Sequence, residues 1–280
     1  MKKIVVFSVV FLGFALNAGC EIRLSDNFTV GSGAYWGNST DVAAELPAGF
    51  GVNGSFSLFS SGGSRSYAYS LGMSKGFFFD MMSLDINYNA DRSSGYISDC
   101  AEVIFSYNPF MNLATFVEWY VEGGYSFIMH ADSSRTNSVP CHMARVGTGV
   151  GFMQTTNVAF SYSLYNYMPS IPLGYTIDQL PVLIFASYNP NLLGVLGAAY
   201  GLPASTIDVS ISHILLDAIM PYFGYSLIRK KMNNSLSHSL VAGVDYYFLP
   251  NWSAGLAYNL FNDPLFGSSH YGSFATSVRF

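Results

Sequence analysis

The sequence predicts an all-β fold, a transmembrane antiparallel β-barrel of about 14 strands, or about 12 if its weakest segments merge. The first observation is composition: 50% of the 280 residues are hydrophobic and 16% aromatic, but only 10% are charged, which is too few for a surface that faces water. The second is that, beyond the first residues, the chain has no apolar run of the roughly 18 residues that a helical span needs. Apart from a helix, a closed β-barrel is the structure that satisfies every backbone hydrogen bond in lipid.

The first twenty residues, MKKIVVFSVVFLGFALNAGC, have the layout of a secretory signal peptide. Two lysines precede an apolar stretch, Ile4–Leu16, and small residues follow it. The stretch is shorter than the roughly 20 residues of a membrane-spanning helix. We therefore expect residues 1–18 to be a signal peptide that is removed on export.

The next segment, residues 19–49, has no single predicted role. It is expected to be a periplasmic segment, a plug or an extra strand. Lipidation of Cys20 also stays open, because NAGC resembles the end of a bacterial lipoprotein signal, although Asn17 stands where an aliphatic residue is usual.

Alternating apolar segments follow along residues 50–280, which are predicted to form the barrel. Side chains in a strand point alternately to its two faces, so apolar residues at every second position give one apolar face. Segments near 143–153, 181–188 and 192–202 are Gly-rich or apolar on both faces and are weaker strands of the same set. A soluble β-sandwich would have polar solvent faces, whereas the apolar face here is aromatic. The clear segments begin at Phe50, Tyr67, Leu84, Val103, Val117, Val158, Ile207, Phe223, Leu240, Leu256 and Phe274.

The connections between these segments are of two kinds. Short Asn/Pro sequences (NPFMN, QTTN, NPN and LPN) predict tight turns. Longer polar sequences (NADRSSGYISDC, HADSSRTNSVPCHM, MPSIPLGYTIDQ and RKKMNNSLS) predict exterior loops. The two kinds alternate, as expected of a barrel with short periplasmic turns.

The chain ends GSFATSVRF, with apolar residues at alternate positions and a terminal Phe280. This ending resembles the C-terminal assembly signal of outer-membrane β-barrel proteins of Gram-negative bacteria. The resemblance implies that Phe274, Val278 and Phe280 are recognised by the barrel-assembly machinery. It also implies a cell outer membrane location, with outer-membrane lipid as the surroundings, and indicates no narrower family.

Charged residues at the positions between apolar ones are expected to face the lumen, because a charge in lipid is unfavourable. An excess of acids there favours cations over anions. The alternative is that the acids pair with the two arginines and with tyrosine hydroxyls and plug a narrow barrel. The expected lumen-lining residues are Asp85, Glu102, Glu118, Glu122, Arg145, Asp208, Asp245 and Arg279.

Two cysteines fall in the sequences predicted to be exterior loops. Cys100 ends one loop and Cys141 lies near the end of the next. Because exported proteins oxidise such pairs, a Cys100–Cys141 disulfide is predicted, with two free thiols as the alternative.

The sequence predicts no enzyme and no cofactor. None of the five histidines forms the His-x-Ser pair that characterises lipid-hydrolysing barrels, and no Gly-rich phosphate loop or paired-cysteine metal motif is present. His130 and His142 flank one polar loop, but loop histidines are more often solvated than metal ligands. The net charge of −5 argues against a nucleic-acid partner.

The expected function is passive diffusion of small solutes or ions through a monomeric, porin-like channel with mild cation selectivity. One alternative is a transporter of hydrophobic compounds that resembles the fatty-acid transporter class, with residues 19–49 as its plug. The other is a structural or surface-interaction barrel without transport.

Overall fold

The computed structural model describes residues 20–61, 64–78, 81–93, 96–109, 117–132, 138–153, 155–168, 181–185, 196–200, 202–231, 234–264 and 267–280, so the predicted signal peptide, residues 1–18, lies outside them. Among the described residues, no helix combines the length and the apolar character needed to cross a membrane. The strands are β1 (Glu21–Gly31), β2 (Tyr35–Leu46), β3 (Phe50–Ser61), β4 (Ser64–Phe77), β5 (Met82–Arg92), β6 (Tyr96–Tyr107), β7 (Val117–Asp132), β8 (Ser138–Phe152), β9 (Thr156–Tyr167), β10 (Pro181–Phe185), β11 (Leu196–Tyr200), β12 (Pro203–His213), β13 (Ile219–Lys230), β14 (Leu236–Leu249), β15 (Trp252–Asp263) and β16 (Gly267–Arg279).

Fourteen of these strands form one closed antiparallel barrel, which confirms the predicted fold class. Each barrel strand pairs with its neighbours in sequence, except that β9 pairs directly with β12. Strands β10 and β11 lie in the connection between those two and form a separate two-stranded sheet, and the backbone of β11 lies against β15.

The predicted strand count is correct, but two assignments within it are wrong. Of the three roles left open for residues 19–49, the extra strand is the nearest to what is found: the segment contributes two barrel strands, β1 and β2, so the barrel begins at Glu21 rather than at residue 50. The segments near 181–188 and 192–202 were predicted as barrel strands, yet β10 and β11 pair only with each other. The two errors cancel in the total.

The barrel closes where the first strand meets the last. Strand β1 pairs with β16 from Arg23 opposite Arg279 to Gly31 opposite Tyr271. Beyond this register, the Phe280 N–H donates to the Ile22 carbonyl at 2.8 Å and the Ile22 N–H donates to the Phe280 carbonyl at 3.2 Å. We call this end of the barrel the terminal end and the opposite one the far end.

The strands extend into the sequences predicted to be exterior loops. Strand β5 continues to Arg92 and β6 starts at Tyr96, so Cys100 lies within β6 and Cys141 within β8. Both cysteines are free. In the register, Cys100 and Cys141 each lie opposite Ile128, one on either side of β7.

This arrangement contradicts the predicted disulfide. Two strand spacings separate the cysteines by about 10 Å. A disulfide requires Cα atoms within about 7 Å of each other. Because β7 lies between them, the two residues cannot be joined without removing a strand from the sheet.

The outer face of the barrel is apolar and exposed. Four phenylalanines on this face each expose between 41% and 49% of their area: Phe105, Phe160, Phe223 and Phe274. An exposed aromatic band around a closed barrel is the surface that a membrane-spanning β-barrel presents to lipid.

Candidate channel lining

Strand alternation places all eight predicted lining residues on the face opposite the exposed aromatic residues. In β6, for example, Val103 and Phe105 point outward and expose 43% and 46% of their area. The adjacent residue Glu102 points inward and is partly buried. The structure does not gather the eight into one site. Five of them lie on one side of the inner face, on β5, β6, β7, β8 and β12, and we call this group the acidic belt: Asp85, Glu102, Glu122, Arg145 and Asp208.

Arg145 is the one cation of the acidic belt. Its Nη2 donates to Oε1 of Glu122 at 2.6 Å, and the two side chains expose 10% and 18% of their area. Arg145 also interacts electrostatically with Glu102 and Asp208, which lie on strands to either side. One guanidinium is therefore shared among several carboxylates.

Serine hydroxyls hold the other carboxylates in place. The Ser126 hydroxyl donates to Glu102 at 3.1 Å. Asp208 accepts hydrogen bonds from Ser226 at 2.6 Å and from Ser161 at 3.3 Å. A hydroxyl orients a carboxylate without pairing its charge. The formal net charge of the acidic belt is −3, from four acids and one arginine.

Glycines on β8 leave room for the belt side chains of β7. A Cβ atom at Gly147 would lie 2.5 Å from the Glu122 carboxylate oxygen, and one at Gly149 would lie 2.3 Å from the Tyr120 ring. Glycine at these two positions leaves space for the Tyr120 ring and for the Glu122 carboxylate, which bonds to Arg145.

The remaining three predicted residues lie elsewhere on the inner face. Glu118 lies opposite Gly151, toward the terminal end. Arg279 forms an ion pair with Glu21 at 2.8 Å, and both are half exposed at the terminal end. Asp245 is 2% exposed and lies beside Tyr222, on β14, two strands from β12 at the edge of the acidic belt.

Several inward charged residues escaped the sequence-based prediction. Asp41 belongs to β2, in the segment that was not predicted to be barrel, and Asp91 lies at the end of β5, in a predicted loop. Lys230 forms an ion pair with Asp263, and their side chains are 4% and 0% exposed. Extending the predicted strands to their true ends would have found Asp91, Lys230 and Asp263, whereas Asp41 required recognition of β2 as a barrel strand.

Part of the inner face is lined by hydroxyl groups. Serine hydroxyls on neighbouring strands form hydrogen bonds with each other. The oxygen–oxygen distance is 3.1 Å between Ser25 and Ser277 and 2.6 Å between Ser55 and Ser70. These small side chains leave space inside the barrel where larger ones would fill it.

Toward the far end the inner face carries an aromatic arc. Its members are buried and form one cluster from strands β2, β3, β4, β13, β15 and β16. Tyr35 and Tyr271 meet edge to face with ring centroids 5.2 Å apart, and Tyr35 and Phe59 are stacked at 6.3 Å. The arc narrows the lumen on this side and consists of Tyr35, Phe59, Ala68, Ile228, Phe261 and Tyr271.

The two histidines that flank one predicted loop face opposite sides of the sheet. His130 is buried on the inner face, where its Nδ1 lies 2.5 Å from the Tyr96 hydroxyl. His142 lies on the outer face, with its Nδ1 2.5 Å from the Tyr125 hydroxyl. In the described part of the chain, no three His, Cys, Asp or Glu side chains are grouped to hold a metal ion.

Several solved structures share this fold. OpdK of Pseudomonas aeruginosa with vanillate has a TM-score of 0.50 at 7% identity, over 93% of this chain and 98% of that one. CdiB from Acinetobacter baumannii has a TM-score of 0.52 at 11% identity, over 93% of this chain and 60% of that one. The KdgM porin covers 92% of this chain and 99% of its own, with a TM-score of 0.48 at 9% identity. No family model and no curated protein sequence matches this chain.

The closed sheet and its exposed apolar outer face define a transmembrane β-barrel protein. At these identities the likeness extends to the fold, and the function is argued from the inner face.

Proposed function

We propose that this chain forms an outer-membrane channel for the passive diffusion of small solutes and ions, and that its lumen favours cations. The observation that carries the proposal is the acidic belt, in which Arg145 balances only one of four carboxylates. Carboxylates that line a passage raise the local concentration of cations and repel anions.

The shape of the inner face supports passage of small solutes. Fourteen strands make a barrel wider than the eight-stranded barrels that side chains fill, and narrower than the wide porins of about 16 to 18 strands. The serine and glycine lining leaves space, whereas the aromatic arc toward the far end restricts it.

The experiment is single-channel recording of the refolded protein in a planar bilayer with a KCl gradient. We expect discrete conductance steps and a reversal potential on the side of cation preference. The double variant Glu102→Gln/Glu122→Gln removes two negative charges and changes the formal charge of the belt from −3 to −1. We therefore expect the reversal potential of the variant channel to move toward zero. Asp99→Asn is the matched control, because Asp99 lies on the outer face, paired with Arg92.

Two outcomes would contradict the proposal. A folded protein that never conducts has a plugged lumen, and the structural alternative then holds. A channel whose reversal potential is unchanged in the double variant takes its selectivity from other residues.

The hydrophobic-compound alternative has lost the feature that supported it. It required residues 19–49 to act as a plug, but most of this segment forms the strands β1 and β2 of the barrel wall.

A further inference from the structure

A carboxylate lies on the lipid-facing surface of the barrel, in the middle of a strand. Asp26 is the central residue of β1, and it is exposed on the same face as Phe28. Ionisable side chains that face lipid at mid-strand are unfavourable and are rare unless they have a function. Asp26 therefore needs an explanation that the channel does not supply.

The hydrogen bonds of Asp26 use only one of its oxygens. The Asn38 amide and the Thr40 hydroxyl both donate to Oδ1, each at 3.0 Å. Among the described residues, none donates to Oδ2, and no basic side chain forms an ion pair with Asp26. One carboxylate oxygen is thus left open toward the membrane.

Asp26 is part of a polar island that spans the closure of the barrel. In the register, Asp26 lies opposite Thr40 of β2 on one side and Thr276 of β16 on the other. We call Asp26, Asn38, Thr40 and Thr276 the seam patch. Exposed apolar side chains surround it: Phe28, Phe56, Leu256 and Phe274.

The other acid on the outer face of the described strands has a different setting. Asp99 forms an ion pair with Arg92 and accepts a hydrogen bond from the Tyr88 hydroxyl at 2.6 Å. Its charge is compensated within the chain, whereas that of Asp26 is not.

We propose that the seam patch is the surface on which a second copy of this chain docks within the membrane, across a two-fold axis close to Thr276, so that Thr276 of each copy lies beside Asp26 of the other. The Asn38 amide and the Thr40 hydroxyl already donate within the chain. The patch still offers an open acceptor, Asp26 Oδ2, and a donor that bonds to none of the described residues, the Thr276 hydroxyl, so it is complementary to itself, as a two-fold interface requires. Lipid tails offer no donor to a carboxylate, but the Thr276 hydroxyl of a second copy does. The surrounding aromatic side chains supply the apolar contact of the interface.

This proposal replaces the sequence-based expectation of a monomer. That expectation took no account of the outer face of β1 and β2, because the role of residues 19–49 was left open between a periplasmic segment, a plug and an extra strand.

The test is cross-linking in native outer membranes. A cysteine introduced by Thr276→Cys is expected to form an intermolecular disulfide on oxidation. Ala144→Cys is the matched control, since Ala144 is exposed on β8, seven strands from β1 around the barrel. The unmodified protein, oxidised in the same way, shows how much cross-linking its own cysteines cause.

A second measurement removes the carboxylate. The mass of the protein–detergent complex is measured for Asp26→Leu and for Ala144→Leu. We expect a dimer for the unmodified protein and for Ala144→Leu, and a monomer for Asp26→Leu. Heat-modifiable gel mobility of Asp26→Leu shows whether the barrel still folds, independently of whether it conducts.

The proposal is overturned if Thr276→Cys cross-links no more than Ala144→Cys in membranes. It is also overturned if Asp26→Leu keeps the mass of the unmodified protein, since the carboxylate then contributes nothing to association.

Discussion

Arg145 on β8 and Glu122 on β7 form an ion pair, with Arg145 Nη2 lying 2.6 Å from Glu122 Oε1. The Glu122 side chain lies against a glycine of β8. The glycine, Gly147, lies directly opposite Glu122 in the register. The ion pair and the glycine therefore form one unit, in which the backbone of β8 makes room for a side chain of β7.

Gly147→Ala is expected to break this ion pair. The new Cβ would lie 2.5 Å from the Glu122 carboxylate oxygen, so the carboxylate must move away from Arg145. We expect the free energy of unfolding to fall by about 1 kcal/mol, the upper range for a partly exposed ion pair. Urea unfolding in detergent micelles measures it. Gly123→Ala is the control, because nothing lies within 4 Å of a Cβ there; equal stability of the two variants would refute the prediction.

Phe261→Ala is expected to widen the lumen and to destabilise the barrel. Phe261 is 1% exposed within the aromatic arc, so its removal leaves a cavity on the inner face. Loss of a buried Phe typically lowers the free energy of unfolding by about 3 kcal/mol or more. Single-channel recording should show a larger conductance than that of the unmodified protein.

The control for this variant is Phe160→Ala, which removes an outward ring that is 44% exposed. It should leave the conductance unchanged. A conductance of Phe261→Ala no larger than that of the control would show that the arc does not restrict the passage.

Cys100 and Cys141 are expected to remain thiols in the exported protein, because β7 separates them. Alkylation after unfolding, without a reductant, should label both residues, as read by peptide mass spectrometry. Labelling of the folded protein should be slow at Cys141, which is 0% exposed. A pair of peptides linked by a disulfide would instead contradict the register of β6, β7 and β8.

Removal of Phe280 is expected to weaken closure of the barrel and its assembly. The residue makes two backbone hydrogen bonds to Ile22. Their loss should lower the free energy of unfolding by about 1 to 3 kcal/mol. The resemblance of the C-terminus to an assembly signal further predicts less protein in the outer membrane, measured by heat-modifiable gel mobility of membrane fractions.

The control for this deletion is Phe248→Ala, which removes another exposed aromatic ring near the terminal end, 44% exposed. Normal assembly of the deletion variant would mean that the terminal residue is not part of the signal.

The sequence alone determined the type of fold and the side of the sheet on which most charged residues lie. Alternation with a period of two is a local property of a strand, so Glu102 and Glu122 could be assigned to the inner face before any pairing was known. Composition then required a membrane, because few charges are available for a water-exposed surface.

The tertiary structure decided which segments belong to the barrel. The sequence left the segment of β1 and β2 open between a periplasmic segment, a plug and an extra strand, because the outward positions of these strands include Asp26, Asn38 and Thr40, which interrupt the apolar alternation. Segments 181–188 and 192–202 were assigned to the barrel because they are apolar on both faces, a pattern that does not specify a partner strand.

The sequence likewise could not predict which residues of different strands lie close together. Cys100 and Cys141 are neighbours among the predicted loops, yet the register places a whole strand between them. Arg145 and Glu122 are 23 residues apart in the chain, and their contact depends on the pairing of β7 with β8. Register is set by the packing of neighbouring strands around the closed sheet, so the periodicity of any single strand leaves it undetermined.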